Sequence, residues 1–160
     1  MKMDIKNFYN QSPELWKTIL GEDLHYHVGW GDGDIFYNSI KYLYQFIGHN
    51  DKVLDCGCGW GGTAKVLQRD LNCEVTGITN STYQHDYIEK NINVNVELVD
   101  LHNYIPKENY DTVLFIESYC HLSSPEQVLL NISIVTILMV PICQSRPKMG
   151  QNGQNHNFMS

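Results

Sequence analysis

Positive charge is scarce in this 160-residue chain: 11 Lys and Arg face 18 Asp and Glu, a formal net charge of −7 with His neutral. That balance excludes a nucleic-acid binder that works by neutralising phosphates. It suits a small-molecule site, and one for a cationic ligand in particular. Cysteine is present five times, an odd number with no even-spaced framework, so a reducing cytosol suits it better than a disulfide scaffold. Long apolar runs are missing. The stretch from Val128 to Cys143 falls short of a spanning helix and is interrupted by Asn131 and Pro141, so no stable membrane span is expected. Met1 to Lys6 lead into no apolar segment, which predicts no secretory leader and a cytoplasmic location. There is no internal repeat. With 42% hydrophobic and 18% charged residues, neither disorder nor a coiled coil describes the whole, and the length allows one main domain.

Local signals divide the chain in three. Ser12-Pro13-Glu14 is a helix start, and a helix through Leu15, Trp16 and Ile19 is expected to end at Gly21. Asp34 can cap a second helix whose apolar residues Phe36, Ile40, Leu43, Tyr44 and Ile47 follow helical spacing up to Gly48. An aromatic and Gly-rich loop, Leu24 to Gly33, lies between them. After Gly48 strands and helices alternate. Val53–Cys56, Glu74–Ile78, Val94–Val99 and Thr112–Ile116 read as strands; Ser81 with Gln84 reads as a capping box, and Ser124-Pro125-Glu126 starts a further helix. This grammar predicts an α/β fold with a mostly parallel sheet, right-handed crossovers and helices on both faces. It weakens after about Leu130. Residues 132–143 can supply a fifth strand, with Pro141 confined to an edge or a strand end. Residues 144–160, rich in Asn, Gln, Gly and Ser, read as a disordered tail.

Asp55-Cys56-Gly57-Cys58-Gly59-Trp60-Gly61-Gly62 sits between the first strand and its helix. Glycines there allow a tight turn and close backbone approach to a ligand at a helix N-terminus. A phosphate-binding Walker loop is excluded, because Gly61-Gly62-Thr63 carries no Lys. The dinucleotide spacing is formally met by Gly57, Gly59 and Gly62, but the acid expected at the end of the second strand is replaced by Thr79-Asn80. Asp55 would also repel a pyrophosphate. It favours a cationic ligand without phosphate, and S-adenosylmethionine, with an ammonium and a sulfonium, is one.

The two motifs together resemble the class I S-adenosylmethionine-dependent methyltransferases, near the cyclopropane-fatty-acid synthase and small-molecule methyltransferase group. Leu54-Asp55-Cys56-Gly57-Cys58-Gly59-Trp60-Gly61 is similar to their L-D-x-G-C-G-W-G, and Gly77-Ile78-Thr79-Asn80-Ser81-Thr82-Tyr83-Gln84 to their G-[LIV]-T-x-S-x-x-Q. The resemblance covers about residues 8 to 127. It implies a Rossmann-like fold, here incomplete at its C-terminal end, and methyl transfer to carbon, nitrogen or oxygen of a small-molecule or lipid acceptor. It implies that Asp55, Gly57, Gly59 and Gly61 line the cofactor's methionine part, and that Thr79 and Gln84 stand in for the ribose acid. The other reading of Gln84 is the capping box. Asp100 and Leu101 match the adenine position; the other reading of Asp100 is a plain Asp-initiated turn.

Glu117-Ser118-Tyr119-Cys120-His121 looks like E-S-x-x-H of small-molecule methyltransferases. Cys120 stands where the cyclopropane synthases typically carry a Glu, which speaks against cyclopropanation. Glu117 is a candidate contact for the ligand or a cationic substrate. His121 is a candidate general base, or else orients the Ser-Ser-Pro segment behind it. Residues 1–48 resemble a helical lid over a cofactor-binding core at 49–143, and Tyr26 and His27 match positions where that lid touches the cofactor; the alternative is packing on the sheet edge. Cys56 and Cys58 with His25 and His27 have poor geometry for zinc, and no metal is expected. A truncated, catalytically defective fragment of such an enzyme is the alternative function, because only about 33 residues follow Gln127 and a βαβ unit takes about 30. A nucleotide-cofactor oxidoreductase is the third.

Overall fold

A computed structural model of the protein describes residues 10, 13–20, 35–133 and 136–142. Five helices and five strands follow one another among these residues: α1 (Pro13–Leu20), α2 (Ile35–Tyr42), β1 (Lys52–Cys56), α3 (Gly62–Leu71), β2 (Glu74–Thr79), α4 (Thr82–Asn91), β3 (Asn95–Leu98), β4 (Tyr110–Ile116), α5 (Pro125–Ser133) and β5 (Thr136–Ile142). All strand pairs are parallel and the order is β3-β2-β1-β4-β5. The fold is the expected α/β, Rossmann-like one.

β1 and β4 carry buried apolar side chains on both faces because both faces are covered there. Successive side chains alternate: Val53 and Leu114 join Ile40, Leu43, Ile47, Ala64, Leu67 and Leu71 in one core cluster, under α2 and α3. Leu54, Val113 and Phe115 join Ile78, Tyr104, Val128 and Ile132 in the other, under α5. The segment 35–47, which the sequence groups with a lid, thus packs against the sheet. Asp70 on α3 holds it there, accepting hydrogen bonds from Tyr37 Oη at 2.6 Å and Tyr44 Oη at 2.5 Å. The Arg69 guanidinium beside it and these two hydroxyls hold the Asp70 carboxyl well below the usual carboxylate range. One detail differs from the helical spacing: α2 ends at Tyr42 and tightens into a 3-10 turn over Leu43–Gln45 before Gly48.

The ends of α3 and α4 are set by local chemistry. Asn72 closes α3 in the left-handed region at φ 55°, its N–H reaching the carbonyls of Gln68 and Leu67. Ser81 caps α4, its hydroxyl accepting from Gln84 N–H. β5 lies beside β4 in the order β1-β4-β5, with Pro141 opposite Phe115, one residue before the end of the strand.

Candidate cofactor and active site

The sheet order reverses between β1 and β4: β2 and β3 follow on one side, β5 on the other. In open parallel sheets such a reversal opens a crevice at the carboxyl ends of the strands. The residues that leave β1 and β4 are the two motifs singled out above, Asp55 to Gly62 and Glu117 to His121.

The glycine turn is held by Gly57 N–H and Cys58 N–H, which both donate to Ile78 O, at 2.9 and 3.0 Å. Gly57, Gly59 and Gly61 have φ of 83°, 55° and 80°. The glycines serve different needs. A Cβ on Gly57 would stand 2.5 Å from Ser118 Cβ, so the turn and the end of β4 touch there. A Cβ on Gly59 would meet nothing within 4 Å, so only its left-handed backbone requires glycine, and the space beside it is open. Ser118 Oγ also donates to Cys56 O across the same junction.

Asp55 is 2% exposed and has no hydrogen-bond or ion-pair partner among the described residues. Burial pushes its carboxyl up to about 7. A buried, unpartnered acid is costly to keep, and it becomes favourable only when a cationic group arrives. The Cys56 and Cys58 thiols are pushed far up by burial and then by Asp55, which keeps them protonated and poor as thiolate ligands.

At the end of β2, Thr79 Oγ1 donates to Gln84 Oε1 at 2.7 Å and accepts from Ser81 N–H at 3.2 Å. Ser81 Oγ accepts from Gln84 N–H at 3.4 Å. The expected capping box is therefore half made: the serine caps, while the Gln84 side chain turns to Thr79 instead of back to Ser81 N–H. The Gln84 amide nitrogen has no partner among the described residues. Asn10 Oδ1 accepts from Thr82 Oγ1 at 2.8 Å, bringing the N-terminal segment onto this rim. Trp16 of α1 is buried with Trp60 of the glycine turn, and Trp60 meets the Tyr87 ring edge-on at 5.4 Å.

After β3, Asp100 begins the turn that the plainer reading anticipates: its Oδ1 accepts from His102 N–H at 2.9 Å. Leu101 packs its side chain against the α5-side core. After β4, Glu117 sits at φ 53°, a rare backbone for a non-glycine residue and one that collects at functional sites. A 3-10 turn over Tyr119–His121 follows, with His121 N–H donating to Ser118 O at 3.0 Å. Glu117 is half-buried and His121 exposed. Ser118 was missing from the sequence-derived set; its signal is its position directly after the acid that ends β4. Tyr26 and His27 lie outside the described residues, as do residues 144–160.

The family described as "Methyltransferase domain" matches residues 53–136, from β1 into β5. The chain belongs to that family. This methyltransferase domain is 29% identical over 130 residues to a sterol 24-C-methyltransferase of Gibberella zeae, covering 72% of the chain and 34% of that protein. It is 39% identical over 88 residues to a probable (S)-tetrahydroprotoberberine N-methyltransferase of Papaver bracteatum, covering 51% of the chain and 25% of that protein. A solved coclaurine N-methyltransferase bound to N-methylheliamine and S-adenosylhomocysteine superposes with a TM-score of 0.70 at 31% identity, over 83% of this chain and 44% of that one. The methyltransferase domain thus spans about a third of the length of the curated relatives it matches. Among the described residues no helix is long and apolar enough to cross a membrane.

Proposed function

We propose that the domain binds S-adenosylmethionine at the carboxyl ends of β1 to β4 and serves methyl transfer to carbon, nitrogen or oxygen of a small-molecule or lipid acceptor, in the cytoplasm. The observation that carries this reading is Asp55: a carboxylate 2% exposed, without a partner among the described residues, beside a left-handed glycine turn with open space at Gly59. S-adenosylmethionine supplies a methyl group on a sulfonium, which needs no activation by the protein beyond placement.

The residues divide the work. Asp55 accepts from the ammonium, with Gly57, Gly59 and Gly61 giving close backbone approach. Thr79 and Gln84 serve the ribose hydroxyls; Thr79 holds the amide by its oxygen, which presents the amide N–H groups as donors. Asp100 accepts from the adenine amine, and the Leu101 backbone N–H serves the ring. Glu117 faces the acceptor and favours a positively charged one. His121 takes a proton where the acceptor must lose one. Tyr26 and His27 cover the site. Alignment and exclusion of water supply most of the rate. Sterol carbon and alkaloid nitrogen are the acceptor types named for the relatives, and both are small-molecule or lipid acceptors of the class proposed.

The test is equilibrium binding of S-adenosylmethionine and NAD to the purified chain, followed by incubation of methyl-labelled S-adenosylmethionine with a panel of sterols and secondary and tertiary amines. Binding of S-adenosylmethionine and not of NAD is expected, with label in one acceptor class. Saturable NAD binding alone would transfer the site to an oxidoreductase. Cofactor binding with no labelled product from any acceptor would favour the fragment reading.

A further inference from the structure

His102 carries more contacts than a loop residue needs. Its ring Nδ1 lies 2.8 Å from Asp100 Oδ1, the oxygen that already accepts from His102 N–H at 2.9 Å. On the other side of the ring, Ser124 N–H donates to Nε2 at 3.2 Å, with Ser123 Oγ 3.1 Å away. A backbone N–H can only donate, so Nε2 must hold a lone pair and the proton must sit on Nδ1, directed at Asp100. The backbone is gripped as well: Asn131 Nδ2 donates to His102 O at 3.3 Å, and Gln127 Nε2 donates to Asn131 Oδ1 at 2.9 Å. Ser124, just before α5, therefore fixes the ring, and Asn131 within α5 fixes the main chain.

An Asp in a simple turn needs only the backbone N–H. Here one carboxylate oxygen takes two bonds from one residue, which locks the carboxylate against rotation. The half-buried His102 thereby settles the direction in which an exposed Asp100 presents its acceptor. We infer that His102 is a positioning residue that sets the site's preference for adenine by orienting Asp100. This rests on the reading of Asp100 as the adenine acid.

The test compares S-adenosylhomocysteine with S-inosylhomocysteine, which replaces the exocyclic amine by a carbonyl, in calorimetric titrations of the full chain. The wild type should prefer the adenine ligand, and Asp100→Asn should lose the part of that preference read at the exocyclic amine, leaving the part read at ring N1, which carries a proton only in the inosine ligand. His102→Ala should also lose most of the part read at the amine, a fall of about 10-fold or more in the affinity ratio, as expected for one charge-assisted hydrogen bond. His102→Asn keeps an N–H at the place of Nδ1 and should restore the ratio toward wild type, which a loss of packing would not. A lowered ratio in Asp100→Asn with an unchanged ratio in His102→Ala would overturn the positioning role. A ratio unchanged in both would overturn the adenine reading of Asp100 itself, and the inference with it. Should His102→Ala fail to fold, Asn131→Ala serves in its place, because it loosens the same residue from the other side and is expected to lower the ratio in the same direction.

Discussion

Asp55 links stability to function with opposite signs. Its folded-state value of about 7 lies above the ordinary 3.8. A carboxyl raised by folding contributes stability that is complete below about pH 4 and is lost as pH rises through about 7. The ligand-free protein should therefore melt lower at pH 8 than Asp55→Asn, with the gap closing toward pH 4. Three pKa units correspond to about 4 kcal/mol at most, and thermal melts of both proteins over that range check it. The glycines give a second contrast. Gly57→Ala meets Ser118 as well as an unfavourable φ, whereas Gly59→Ala meets only the φ. Urea titration should show Gly59→Ala costing about 1 kcal/mol and Gly57→Ala more, about 2–4. At this scale the sequence displays Asp55 and the glycines as a pattern, but burial and the lack of a partner are properties of the packed chain. The direction of the Gln84 side chain was equally hidden, since Thr79 and Ser81 N–H both compete for it.

Elements were legible where a period runs long enough to be counted. The alternation Val53/Leu54 and Val113/Leu114/Phe115 places side chains on two faces, and both faces turn out to be core. Capping residues marked the starts of α4 and α5. What the period could not show is where a helix stays regular. The apolar spacing runs from Phe36 to Ile47, yet Asp70 draws Tyr37 and Tyr44 toward α3 and the last turn tightens over Leu43–Gln45. The seat of α1 was not readable either, because Trp16 and Trp60 are 44 residues apart in sequence and meet only in the fold. Trp16→Ala should cost about 3 kcal/mol and expose α1 to limited proteolysis. Because Trp60 follows Gly59, it should also weaken cofactor binding, whereas Leu15→Ala, at an exposed position of the same helix, should change neither. Gln84→Ala belongs here too: it leaves the Ser81 hydroxyl cap in place. It should weaken S-adenosylhomocysteine by about fivefold, the loss of about 1 kcal/mol from one hydrogen bond, and also lower the melting temperature, because the buried Thr79 hydroxyl loses its acceptor.

For the molecule as a whole, the strand order brings separate stretches of chain to one crevice. Asp55 lies near the end of β1, Asp100 and Glu117 follow β3 and β4, and Gln84 lies in the first turn of α4 after β2, so the parallel order places all four toward the carboxyl ends of the strands. The α/β class follows from the alternation of elements; the position of β5 beside β4 follows from pairing that no local pattern in residues 132–143 dictates. The excess of acidic over basic residues adds to the same tendency, toward a cationic ligand. The central claim is that Asp55 is the anionic anchor of that ligand. Calorimetric titration of S-adenosylhomocysteine into the wild type and Asp55→Asn between pH 6 and 8.5 tests it most directly. The wild type should bind more tightly as pH rises through about 7 and release protons on binding near that pH, since the ligand's ammonium favours the ionised carboxyl. Asp55→Asn should bind about 10-fold or more weakly, as for a lost hydrogen bond between charged groups, with no rise over that interval. Equal affinity in the two proteins, or a wild-type affinity that does not change through pH 7, would contradict it.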